Sequence, residues 1–182
     1  MHGPAKIALC ALIGGGVGLV TAARAIDTGF AGISTTYGQW LTWPSAGRQD
    51  EDPYTRAHFL IDGRLPISTF EATEFETAVD AAGKPLEASC TYVLEGPLPP
   101  SRWWSLWTEP GPEGSTGITS QAAVLEPDGT IRVMLSPSPQ PGNWVKTAGG
   151  GYRVYLRAYS AGVLARKPGA EPPLPQVRLE RC

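Results

Sequence analysis

The sequence predicts a mainly β protein: an antiparallel, jelly-roll-like β-sandwich with one short helix, preceded by an N-terminal transmembrane helix. Three observations point there. Residues 7–25 are apolar, with no charge between Lys6 and Arg24. Beyond residue 66, apolar side chains recur at alternate positions, the period of half-buried strands. The 22 Gly and 18 Pro of the 182 residues follow no fixed period, so they mark turns rather than a fibre. Seven or eight short strands between turn signals read as a sandwich, and jelly-roll and immunoglobulin-like topologies both fit.

In chain order, residues 1–26 form an anchor or uncleaved signal, 27–51 a linker and 52–182 a β-sandwich domain outside the cytoplasm. The residues between Lys6 and Arg24 rise about 25 Å as a helix, the short end of a bilayer span. Ala23-Arg24-Ala25 has the A-x-A form of a cleavage site, but an arginine inside that site argues for retention. Gly14, Gly18 and Ala22 share one helix face, a small-residue stripe suited to a partner transmembrane helix. The positive-inside rule favours N-terminus in, which puts a single pass in the bacterial inner membrane and the domain in the periplasm. Cys10 lies inside the apolar run and reads as a buried thiol, since Leu9 stands where a lipoprotein signal needs a small residue.

Residues 27–51 are rich in Gly, Ser and Thr, with Tyr37, Trp40 and Trp43 interspersed. Asp52-Pro53 starts a helix, Asp as N-cap and Pro at the first helical position. Tyr54, Ala57, Leu60 and Ile61 fall on one face of it, and Gly63 ends it. In 69–80, Phe75, Thr77 and Val79 alternate with Glu74, Glu76 and Asp80. A turn at 80–85 leads to 87–95, where Ala88, Cys90, Tyr92 and Leu94 share a face, so the two segments are expected to form a hairpin. Residues 102–108 are strongly β by residue type. A loop at 109–117 precedes a strand near 118–125, and Pro127-Asp128-Gly129 is a tight turn into a strand with Ile131, Val133 and Leu135. Prolines fill 137–143, and Gly149-Gly150-Gly151 precedes the alternating strand 152–159. Residues 167–175 are an extended Pro-rich segment, and Val177 and Leu179 belong to a last short strand.

Setting aside Lys6 and Arg24 leaves 13 of the 15 Lys and Arg against all 17 Asp and Glu, a formal charge of −4 with no basic run, which argues against nucleic-acid binding. Cys90 and Cys182 are an even pair in an oxidising compartment and read as a disulfide.

DPYTRA (52–57), the D-x-x-G-K-P-L turn (80–86), CTY (90–92), PSRWWSL (100–106), the DG turn (128–129), QPGNW (140–144), YLRAY (155–159) and LERC (179–182) together resemble an uncharacterised bacterial family built on a domain of unknown function. The resemblance covers about 52–182. It implies a jelly-roll-like sandwich in the cell envelope, in short membrane-anchored members and as the C-terminal half of larger exported proteins. It implies no established activity, and with no agreed catalytic residues in that family none is carried over. Trp107-Thr-Glu-Pro departs from the Tyr-Asp pattern expected after RWWSL, so the loop after Glu109 is expected to differ.

Candidate chemistry is sparse. His58 has no nucleophile beside it in sequence and reads as structural or exposed. No G-x-S-x-G, H-E-x-x-H, G-x-G-x-x-G or C-x-x-C occurs. Glu74 and Glu76, two apart on a strand, read as a solvated face rather than a glycosidase pair. No metal or cofactor is called for. What remains is an aromatic and basic set: Arg56, Arg102, Trp103, Trp104, Trp107, Asn143, Trp144 and Arg157. Planar rings stack on sugars and Arg binds carboxylates, although core packing accounts for such residues more simply. The expected function is a non-enzymatic binding or accessory module. A domain binding envelope glycan or a small carboxylated ligand is the alternative, and a hydrolase the remote third reading.

Overall fold

The computed structural model describes residues 3–29, 32–109, 117–147, 149–160 and 171–182. The chain divides into two compact units: Met1–Thr35 with Trp43–Pro66, and Thr36–Thr42 with Ile67–Cys182.

The first unit holds two helices. In α1 (Gly3–Thr28) the apolar side chains from Ile7 to Val20 all face outward, and the helix is long and apolar enough to cross a membrane. Its far end is different: Ala25 is fully buried. Helix α2 (Pro53–Ile61) begins as its sequence requires. Asp52 accepts from the amides of Tyr54 and Thr55 at 3.0 and 2.8 Å, and Pro53 fills the first position, where no amide bond is lost. Gly63 ends it at φ +65°. The apolar stripe Tyr54, Ala57, Leu60 and Ile61 lies opposite the buried face, which is Thr55, His58 and Phe59.

The second unit is the sandwich. Among the described residues ten strands form two sheets: β1 (Thr35–Tyr37), β2 (Trp40–Thr42), β3 (Ala72–Thr77), β9 (Arg153–Tyr159), β5 (Trp103–Glu109) and β6 (Gly117–Thr119) in that order, and β10 (Gln176–Arg181), β4 (Thr91–Gly96), β7 (Ile131–Ser136) and β8 (Trp144–Lys146) in the other. The inward residues Phe75, Leu106, Val154 and Leu156 of the larger sheet meet Tyr92, Leu94, Val133, Leu135, Val145 and Val177 of the smaller. These side chains are nearly all excluded from water, the main favourable term in holding the sheets together. Cys90 and Cys182 form the expected disulfide, Cα atoms 4.2 Å apart, closing β10 onto the start of β4.

Several local expectations are revised. Segments 69–80 and 87–95 are not a hairpin: β3 pairs with β2 and β9, whereas β4 pairs with β10 and β7. The intervening turn is present, with Asp80 Oδ1 accepting from the amides of Ala82 and Lys84 at 2.9 Å. Pairing then stops at Pro85, and Glu87 bridges Gly151 instead, carrying the chain to the other sheet. Alternation tells which face a residue takes, not which strand it pairs with.

The stretch read as a linker contributes β1 and β2. Trp40 is buried there, with Nε1 donating to the Pro175 carbonyl at 2.7 Å. The strand expected near 118–125 is only the three-residue β6 plus a bridge from Leu125 to Ile131. β8 runs parallel to β7, a departure from an all-antiparallel sandwich. The Asn143 side chain pins the return: Nδ2 donates to the carbonyls of Val124 and Arg132, and Oδ1 accepts from the Val124 amide. The loop after Glu109 and residues 161–170 lie outside the described residues.

Candidate functional site

Alternation along β3, β5 and β9 puts Phe75, Trp104, Leu106, Val154 and Leu156 in the core. The intervening residues share the outer face, and register arranges them in rows. Trp103 stands opposite Tyr159; Arg157 lies between Ser105 and Glu74, and Tyr155 between Trp107 and Glu76.

Arg157 is the hub of this face. Its Nε donates to Glu74 Oε2 at 2.9 Å, and Nη2 reaches the same oxygen. Nη1 reaches the Tyr159 hydroxyl at 3.5 Å. The guanidinium lies 4.9 Å over the Trp107 ring, a cation–π distance. Trp107 stacks on Tyr155 with centroids 5.2 Å apart and planes within 16°, and its Nε1 donates to Glu109 Oε1 at 3.0 Å. Trp103 meets Tyr159 edge-on at 4.7 Å. One row away Arg153 lies 3.8 Å from Glu76.

Burial opposes the charge on Arg157. The Glu74 carboxylate, together with the hydrogen bonds Arg157 donates to Glu74 and the Tyr159 hydroxyl, outweighs it and holds the guanidinium more firmly protonated than an ordinary arginine. Glu74 and Glu76 are therefore not a solvated face: each is largely buried beside an arginine. Trp103, Trp107 and Tyr159 remain half-exposed, so their rings are held in place without being covered.

The sequence-derived set is thus partly assembled. Trp103, Trp107 and Arg157 meet on this face. Trp104 points into the core. Arg102 is exposed just before β5. Trp144 sits on β8, its Nε1 donating to the Ser136 carbonyl at 3.0 Å. Asn143 lines a separate groove of about 360 Å³ with Arg132, Met134, Glu126, Glu180 and Arg181. Arg56 belongs to α2, with Glu51 at 3.3 Å. Glu74, Tyr155 and Tyr159 were missed, although the alternation of YLRAY already placed Tyr155, Arg157 and Tyr159 on one face.

In the first unit His58 is 2% exposed. It stacks on Trp43 at 4.2 Å and lies edge-on to Phe59. Nδ1 is 2.8 Å from the Ile26 carbonyl, which can only accept, so Nδ1 donates. Nε2 is 3.2 Å from Arg64 Nη2, which can only donate. His58 therefore ties α2 to the last turn of α1. Among the described residues no three His, Cys, Asp or Glu are grouped to hold a metal.

Residues 71–163 match a family described as protein of unknown function (DUF1214). No curated protein matches the chain. Among solved structures, the chain is similar to the VPA0106 protein from Vibrio parahaemolyticus, with a TM-score of 0.60 at 15% identity over 99% of this chain and 46% of that one. It is also similar to an uncharacterised protein from Burkholderia cenocepacia, with a TM-score of 0.42 at 20% identity over 62% of this chain and 29% of that one. The Vibrio likeness establishes a shared fold, and the chain spans about half the length of that protein.

Proposed function

The chain belongs to the DUF1214 family, whose description assigns no activity, and from that premise we propose that it is a membrane-anchored, non-enzymatic binding module of the bacterial cell envelope. In this reading α1 crosses the inner membrane once, N-terminus inside, and the sandwich works in the periplasm. One feature supports retention of α1: Ala25 is fully buried. Cleavage after Ala25 would remove a core residue of the first unit. Intact mass of the membrane-extracted protein tests this, a full-length mass being expected and one starting near Ile26 overturning it. The stripe of Gly14, Gly18 and Ala22 is open to a partner transmembrane helix. Association unchanged by Gly14→Leu with Gly18→Leu would count against that partner.

The observation that carries the binding role is the outer face of the larger sheet. Its half-exposed Trp103, Trp107 and Tyr159 rings are fixed in orientation by Arg157 and Glu74. Preorganised flat rings stack on the apolar faces of sugars at small entropic cost, so the ligand class is an envelope glycan. Tryptophan emission titrated with soluble muropeptides is expected to change saturably, and Trp103→Ala with Trp107→Ala is expected to weaken binding at least ~10-fold. Emission that stays flat with every probe sinks the glycan reading. A small carboxylated ligand is the second reading, favoured by the exposed Arg102 beside Trp103, since Arg157 already holds Glu74.

A further inference from the structure

The apolar stripe of α2 faces the wrong way for a core helix. Leu60 is 69% exposed, Ile61 73% and, just past the Gly63 cap, Leu65 88%. Tyr54 is exposed on the same side. The inward side is instead built from Thr55, His58 and Phe59. A nine-residue helix that buries a threonine and a histidine while exposing two branched aliphatics is inverted with respect to water.

Its location supplies the reason. Through His58 and the Ile26 carbonyl, 2.8 Å apart, α2 is fastened to the last turn of α1. The outward-facing apolar residues of α1 run from Ile7 to Val20, and the first charges beyond them are Arg24 and Asp27. A span of that register leaves the hydrocarbon near residues 21–27, which places Ile26, and α2 with it, at headgroup depth. The uncharged stretch rises only about 25 Å, short of a typical hydrocarbon thickness of about 30 Å. A span that short draws the bilayer thinner around it, which brings its exit end and the residues fastened there close to the lipid.

We propose that the outer stripe of α2, centred on Leu60 and Ile61 and followed past the cap by the exposed Leu65, lies in the lipid interface as a second membrane contact, so that the anchor is a transmembrane helix locked to an interfacial one. The occupant of the stripe is the lipid surface itself. The proposal rests on the reading of α1 as a retained span, and its test separates the two.

The full chain carrying Cys10→Ser, with the Cys90–Cys182 disulfide intact, is labelled with an environment-sensitive fluorophore at a single introduced cysteine. Four versions are made: Ile13→Cys, Ile61→Cys, Leu65→Cys and Ala82→Cys. Each is reconstituted in vesicles of phosphatidylethanolamine and phosphatidylglycerol bearing doxyl quenchers either shallow or deep in the acyl chains. The expected result is deep quenching at 13, none at 82, and blue-shifted emission at 61 and 65 that loses about half its intensity to the shallow quencher, as for a helix about 5–10 Å into the boundary. Deep quenching at 13 with water-like emission at 61 and 65 overturns the interfacial contact and leaves the span standing. Shielded emission at 61 and 65 that lipid quenchers do not touch assigns the stripe to a protein partner and also overturns the proposal. Absence of quenching at 13 removes the span, and the proposal with it.

Discussion

Asp52 shows how much one side chain can decide. It caps α2 while accepting from the hydroxyls of Ser45 and Thr55. Burial pushes its carboxyl up, but those donors and the amides of Thr55 and Tyr54 outweigh it and hold the group below the usual carboxylate range. A lowered folded value means stability that is present above the unfolded value of about 4 and lost as pH falls through the lowered one. Asp52→Ala is expected to cost about 0.5–2 kcal/mol at neutral pH. Asp52→Asn keeps an acceptor and is expected to flatten this part of the acid limb, read as the difference between wild-type and variant melts from neutral to acid pH. At the outer sheet face, Arg157→Met is expected to destabilise by about 1–3 kcal/mol because it removes the charged hydrogen bonds that Arg157 donates to a largely buried Glu74. Adding Glu74→Gln is expected to restore part of that loss, and a double-mutant cycle in denaturant measures the restoration. The cap was legible from sequence because Asp52 and Pro53 are adjacent and their partners lie within one turn. The Glu74–Arg157 pair was not, because 83 residues separate its members and only strand register joins them.

At the scale of elements, composition and period located most strands, and the turns at Asp80 and Gly129 stand where Gly and Asp put them. Partner choice was hidden. β3 and β4 looked like one hairpin because they flank one turn, yet each completes a different sheet. Trp103, Trp104 and Trp107 looked like one cluster because they are neighbours in sequence, yet the pleat sends Trp104 into the core and the other two outward. The stripe on α2 was visible as a stripe, and its direction was not, because periodicity marks a face without saying whether that face turns inward or outward. One glycine carries a testable constraint at this scale. Gly96 ends β4 at φ +133°, and a Cβ there would stand 3.2 Å from the Pro175 Cα. Gly96→Ala is expected to destabilise the sandwich by more than about 1 kcal/mol, seen as a lower denaturant midpoint with unchanged slope.

For the molecule as a whole, the N-terminal apolar run and the cysteine pair could be read without any fold, since each depends on composition and compartment more than on packing. The disulfide spans 92 residues of sequence and joins β10 to the start of β4. On the chain-entropy account, closing a loop of that size stabilises by about 4.6 kcal/mol. Reductant, or Cys90→Ser with Cys182→Ser, is expected to lower the sandwich's denaturant midpoint accordingly and to leave the α2 cap unchanged. The alternation of consecutive strands between sheets has a consequence in time. β3 needs β9, and β4 needs β10, so neither sheet can be completed until residues beyond 153, and then beyond 176, are available. Contacts this distant in sequence slow folding, because loop closure is costly before any pairing rewards it. A nascent chain would lack both complete sheets until its final segment emerged. The sandwich would then assemble late and in one step, with its strand edges exposed to holding chaperones until it did.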